Sequence, residues 1–247
     1  MLPKPEAVQA RDLRTYKHFD LLLAIFIVVL LISNLVGQKL CSIGRPIKIR
    51  GEVIGPFVIS GAQLLFPLTY IFGDVFTEVY GYAASRRAIW IGFLANSLLA
   101  VMSLITVWLP PAPGWHNQDA FATVFYQIPR LIVASLIAFW CGEFTNSYTL
   151  ARMKLWTGGK MLWTRTVGST VTGQFVDTIV LVIIGFGGTA PPLTLATLAG
   201  SAYLGKVIYE VVATPVTYAV VGFLKRSEGL DAFDYHSDFN PFHVGTK

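Results

Sequence analysis

The chain has 247 residues, of which 54% are hydrophobic and only 13% charged, against a usual charged share of about 25%. With a mean hydropathy of +0.59 it is too apolar for a soluble globule, and too poor in charge for a disordered chain or a coiled coil. Two cysteines exclude a disulfide framework, and the net charge of +5 does not form a nucleic-acid patch, because the basic residues sit at the ends of apolar runs.

The first 18 residues are polar, and the apolar run behind them is longer than a signal-peptide core. A bilayer core about 30 Å thick needs roughly 20 apolar residues per helix. Six runs meet that need: 19–40; 57–82, with Pro67 inside it; 88–109, stopped by Pro110 and Pro111; 130–151, begun after Pro129; 166–186, ended by Gly187 and Gly188; and 193–224, with Pro215 as an expected kink. The expectation is an all-α, polytopic membrane protein of six transmembrane helices. Residues 1–18 form an N-terminal tail, 19–224 the membrane domain and 225–247 a C-terminal tail. Segment 41–59 alternates loosely and carries Gly44, Gly51 and Gly55, which suits a short hairpin on the outer face.

Basic residues set the orientation. Lys4, Arg11, Arg14 and Lys17 precede span one, Arg86 and Arg87 follow span two, Arg152, Lys154, Lys160 and Arg165 follow span four, and Lys225, Arg226 and Lys247 close the chain. Both termini are therefore expected in the cytoplasm. Lys39, Arg45, Lys48 and Arg50 disagree, either as a tolerated exception or as a basic lip at an entrance. A weak echo, Asn34 and Asp74 against Asn146 and Asp177, suggests a 3+3 inverted repeat, although two matches per half also arise by chance.

Five of the 14 acidic residues fall inside spans: Asp74, Glu78, Glu143, Asp177 and Glu210. Each charge at a helix centre costs about 2.5–3.5 kcal/mol to insert, so these groups need partners, protons or a cavity. Asp74 and Glu78 are four apart on one face, Glu143 and Asn146 three apart, and Thr170, Gln174 and Asp177 form a polar stripe on span five. Lys206 and Glu210, also four apart, read equally as an intrahelical ion pair. Arg86 or Arg87 would neutralise Glu78 near the end of its span. Trp90, Trp108, Trp156 and Trp163 read as an interfacial belt. Tyr70, Phe72, Tyr80, Trp140 and Phe144 are either packing residues or a stacking platform for a flat ring. Acids, amides and aromatics together suit a purine-like ligand, whose N–H edge needs acceptors.

Enzyme chemistry finds little support. No histidine lies in a span, and His236 and His243 read as solvated tail residues, so a membrane zinc site and a Ser-His hydrolase are not expected. No metal, cofactor or nucleotide-hydrolysing loop is expected. Asp74 and Asp177 leave an intramembrane aspartyl protease as a remote alternative, without the Gly-x-Gly-Asp setting usual for it.

The run 66–82, FPLTYIFGDVFTEVYGY, followed by Arg86-Arg87, closely resembles the signature of the queuosine precursor transporter family. Cys141-Gly142-Glu143-Phe144-Thr145-Asn146, Gly173-Gln174-Phe175-Val176-Asp177-Thr178 and the stretch from Lys206 to Pro215 resemble its later blocks. The resemblance spans about residues 19–235. It implies a bacterial inner-membrane protein of six helices, a homodimer without an ATPase subunit. It also implies import of 7-cyano-7-deazaguanine or 7-aminomethyl-7-deazaguanine for tRNA modification, by secondary or facilitative transport. A vitamin or another flat heterocycle is the alternative substrate. The expected substrate-binding residues are Asp74, Glu78, Glu143, Asn146, Gln174, Asp177, Glu210, Tyr70 and Phe144.

Overall fold

The computed structural model describes residues 16–37, 39–43, 47–49, 52–54, 57–125, 129–188, 191–235 and 237–242. The tail before Tyr16, the basic positions Arg45, Arg50 and Lys247, the glycines 44, 51 and 55, and His236 and His243 lie outside them.

Among the described residues seven α-helices follow in chain order: α1 (Phe19–Val36), α2 (Phe66–Val75), α3 (Tyr82–Trp108), α4 (Gln118–Phe125), α5 (Pro129–Thr157), α6 (Leu162–Leu181) and α7 (Pro192–Glu228). Four helical stretches are long and apolar enough to cross a membrane: α1, α3, Leu162–Phe186 and Tyr203–Glu228. Large side chains such as Leu94, Leu98, Val212 and Phe223 stay exposed on them, as a lipid-facing surface requires.

Between α1 and α2 the chain forms two antiparallel pairs. β1 (Leu40–Ile43) pairs with β4 (Phe57–Ser60), and β2 (Ile47–Ile49) pairs with β3 (Glu52–Ile54). This nested ribbon fits the hairpin expected for 41–59, and it corrects two span boundaries. Span one stops at Val36, and span two does not begin at 57. Phe57–Ser60 is a strand, a short 3₁₀ turn (Gly61–Leu64) follows, and α2 starts at Phe66. Pro67 thus sits in the first helical turn, where its missing N–H costs nothing. It does not break a longer helix.

α2 is ten residues long and continues as a five-residue π-helix, Phe76–Tyr80. Together they span about 22 Å at 1.5 Å per residue, short of a bilayer core. Gly81 (φ 89°, ψ 170°) makes the sharp junction into α3, a conformation closed to side-chain-bearing residues. α5 and α7 run past their expected ends. α5 reaches Thr157 and so carries Arg152 and Lys154, and α7 runs to Glu228 with Pro215 inside it. The boundary expected at 225 therefore falls within a helix.

The described part of the C-terminal tail is docked on the bundle. Ala232 N–H donates to the Val79 carbonyl at 3.3 Å, and both Asp234 carboxylate oxygens accept from Tyr82 N–H at 3.1 Å. Arg86 donates to the carbonyls of Asp238 and Asn240, and Trp90 Nε1 to that of Pro241 at 2.8 Å. Phe239 packs on Tyr82 and Tyr148, and Phe242 on Trp90 and Trp140. Residues 230–235 and 237–242 thus form a strap across one end of the bundle, and Trp90 belongs to its docking surface. Trp108, Trp156 and Trp163 are exposed as a belt would be.

The same end gathers the charges. Glu78 is fully buried, and its Oε1 meets Arg165 Nη2 at 2.6 Å, Lys225 Nζ at 2.7 Å and Lys154 Nζ at 3.5 Å. Lys154 also donates to Asp231 at 2.5 Å and to the Ala232 carbonyl at 2.6 Å. The expected neutralisation of Glu78 by Arg86 or Arg87 is thus replaced by three cations from α5, α6 and α7, while Arg86 holds the strap.

Candidate substrate site

Two glycines set the central crossing. A β-carbon on Gly142 would lie 2.7 Å from Asp177 Cβ, and one on Gly173 would lie 2.7 Å from Asn146 Cβ. α5 and α6 therefore meet backbone to backbone. That approach carries Glu143 and Asn146 of one helix, and Gln174 and Asp177 of the other, to a common level. Gly73 on α2 gives similar room: a β-carbon there would stand 3.1 Å from Glu143 Oε2.

A cavity of about 190 Å³ opens at this level. α1 contributes Leu30 and Asn34, α2 Thr69 and Tyr70, α3 Asn96 and Ser103, α5 Phe139, Gly142 and Glu143, α6 Gln174 and Asp177, and α7 Lys206. It lies below the roughly 300–1,000 Å³ usual for drug-sized ligands, so it suits a small molecule. Tyr70 OH donates to Gln174 Oε1 at 3.3 Å, Lys206 Nζ meets Asp177 Oδ2 at 2.5 Å, and Asn34 Nδ2 donates to Asn96 Oδ1 at 2.9 Å. Apart from Ser135, the rest of the wall is apolar, with Phe125, Leu136 and Leu181.

The structure sorts the nine expected residues. Tyr70, Glu143, Gln174 and Asp177 line the cavity. Asp74 and Asn146 lie behind that wall, joined by an Asn146 Nδ2 to Asp74 Oδ1 bond of 3.2 Å. Glu210 is buried without a hydrogen-bond partner for either carboxylate oxygen. Lys206 does not pair with it along α7 as the spacing allowed, but reaches across to α6. Glu78 belongs to the cation hub and not to the cavity. Phe144 packs edge-on against Trp140 at 5.0 Å and joins the Tyr82 cluster. Sequence reasoning missed Asn96, Ser103 and Thr69 as lining residues, and Arg165 as the partner of Glu78. Asn96 in an apolar span was a signal in plain view; the pairing of Arg165 with Glu78, 87 residues apart, was not.

A family model described as "Putative vitamin uptake transporter" matches residues 60–220, more than half of the chain. The chain belongs to this family. The match takes in the cavity residues from Thr69 to Lys206, the Gly142–Gly173 crossing and the short α2. A relative from Bacillus subtilis (strain 168), described as "Probable queuosine precursor transporter", is 27% identical over 167 residues, covering 67% of this chain and 73% of the relative. No solved structure matches. The resemblance read from the motifs therefore holds at family level. The protein is a multi-pass membrane transporter of small molecules, and membership of a transporter family implies no enzymatic reaction.

Proposed function

We propose that the protein imports 7-deazaguanine bases, the cyano and aminomethyl precursors of queuosine, across the bacterial inner membrane. The observation that carries this reading is the cavity. Glu143, Gln174 and Asp177 offer acceptors to an N–H-rich edge, while Tyr70 and Phe139 offer ring faces to a flat heterocycle. The name of the Bacillus subtilis relative supports the same substrate class.

The reading includes six crossings, with α2 as a partial one and α5 as a full one, and both termini cytoplasmic. Lys17, Arg86, Arg152, Lys154, Arg165 and Lys225 favour that orientation, because their helix ends converge on one side. A homodimer acting as a secondary or facilitative carrier without an ATPase subunit completes it. In such carriers interrupted helices flank the substrate near the midplane, and α2 with its π-turn is of that kind.

The test is uptake of labelled 7-cyano-7-deazaguanine by cells that cannot make it. Glu143→Gln and Asp177→Asn should each reduce uptake at least tenfold at unchanged membrane abundance. Normal uptake in both would remove the site assignment. Competition by a panel of flat vitamins, without competition by deazaguanines, would move the substrate to another heterocycle.

A further inference from the structure

Beside the cavity lies a group of buried oxygens that meet no donor among the described residues. Glu210 is fully buried, and neither Oε1 nor Oε2 meets a donor. Asp74 is 1% exposed; its Oδ1 takes the Asn146 amide and its Oδ2 has no partner. Asn146 Oδ1, on a different helix and uncharged, is also buried and unmatched. Asp74 and Glu210 interact electrostatically across the contact of α2 with α7.

Among the described residues, the charged and titratable groups around this pair supply no spare cation. Tyr70 comes from α2, Glu78 from the π-helix that follows it, Glu143 from α5, Asp177 from α6 and Lys206 from α7. Lys206 is engaged by Asp177, while Arg165, Lys154 and Lys225 are engaged by Glu78. Two buried anions that interact, with three of their four oxygens lacking a donor among the described residues, are not a stable arrangement. The described residues hold no group of three His, Cys, Asp or Glu able to hold a metal ion. One hydrogen on a carboxyl oxygen would supply the missing donor.

We propose that Asp74 and Glu210 form a proton-binding site, distinct from the substrate cavity, whose loading and release drive transport. When the layer opens to one side, a proton leaves hydronium there: an O–H bond of hydronium breaks as an O–H bond forms on one of the two carboxyls. The new bond breaks, passing the proton to water, when the layer opens to the other; no electron moves. Loaded, the acid donates to the neighbouring carboxylate or to Asn146 Oδ1, and α2 and α7 close. Unloaded, the two anions repel and the helices part. Pro215 lacks the N–H that would bond the carbonyl of Val211, next to Glu210, so α7 can bend there. The site rests on buried, unmatched carboxyl oxygens at the contact of α2 with α7; its coupling role rests on the transport reading above.

Two measurements test it. Infrared spectra of the purified protein at neutral pH should show a buried carboxylic acid C=O stretch that Glu210→Gln or Asp74→Asn removes. In proteoliposomes at zero membrane potential, 7-cyano-7-deazaguanine should accumulate about tenfold per unit of inward proton gradient, and Glu210→Gln should abolish that accumulation. No acid band in the wild type, or accumulation that follows sodium instead, overturns the proposal. Uptake that only equilibrates, with no acid band, defeats the proton site and leaves the substrate reading standing. An acid band in a protein that moves no deazapurine supports the site and defeats that reading.

Discussion

Arg165 Nη2 lies 2.6 Å from Glu78 Oε1, with both side chains removed from solvent. Removing one partner of such a pair leaves a buried charge uncompensated, which costs about 3–5 kcal/mol. Glu78→Gln should therefore lower the thermal unfolding temperature in detergent and reduce membrane abundance. Glu143→Gln, at the cavity, should leave both near wild type while uptake falls. Equal stability of the two variants would contradict the division between hub and cavity.

The α5–α6 crossing tolerates no added bulk. Gly173→Leu should cost about 1–3 kcal/mol from overpacking alone and spread Gln174 away from Tyr70. Gly200→Leu, where a β-carbon would meet nothing, is the control. Purified-protein unfolding temperatures for the two should differ by several degrees; indistinguishable values would mean that the crossing relaxes freely.

Asp234 satisfies the N–H of Tyr82 at the start of α3, a position where Gly81 has no side chain to offer. Loss of a helix cap costs about 0.5–2 kcal/mol. Asp234→Ala should loosen the strap and free the Trp90 indole from the Pro241 carbonyl. A change in Trp90 emission, read in a background with the other tryptophans replaced, is the measurement. An unchanged spectrum would show that Phe239 and Phe242 hold the strap without this cap.

The strap should also respond to acid. Burial pushes the Asp231 carboxyl up, but hydrogen bonds from Lys154 and Lys225 outweigh it and hold the group below the usual carboxylate range. A depressed acid stabilises the folded arrangement above its unfolded value, about 3.9, and that contribution disappears as pH falls through the lower folded value. Trp90 emission should hold steady from neutral pH to about 4 and shift below it. Asp231→Asn should weaken docking at neutral pH and flatten the acid step.

Much of this was legible in the sequence. The polar stripe of span five delivered Gln174 and Asp177 to the cavity, because a 3.6-residue period fixes which side chains share a face. The same logic gave Glu143 and Asn146 on α5. Period alone could not assign partners. Lys206 lies four residues from Glu210 but is taken by Asp177, and Glu78 is four from Asp74 but belongs to three distant cations. Such choices depend on helix rotation and depth, which Gly142 and Gly173 set by close approach. The strap was hidden for another reason: its carbonyl acceptors are backbone atoms, the same whatever side chain follows.

α2 and its π-turn, about 22 Å tall, stand beside helices of 27 and 29 residues. The hydrocarbon over so short a rod must thin, or water must fill the gap. A solute descending toward Tyr70 would then travel first through a wet vestibule. With α2 as a crossing, the insulating layer between the two aqueous phases would narrow there to little more than the height of one stubby helix, and the voltage across the membrane would drop most steeply over that short stretch.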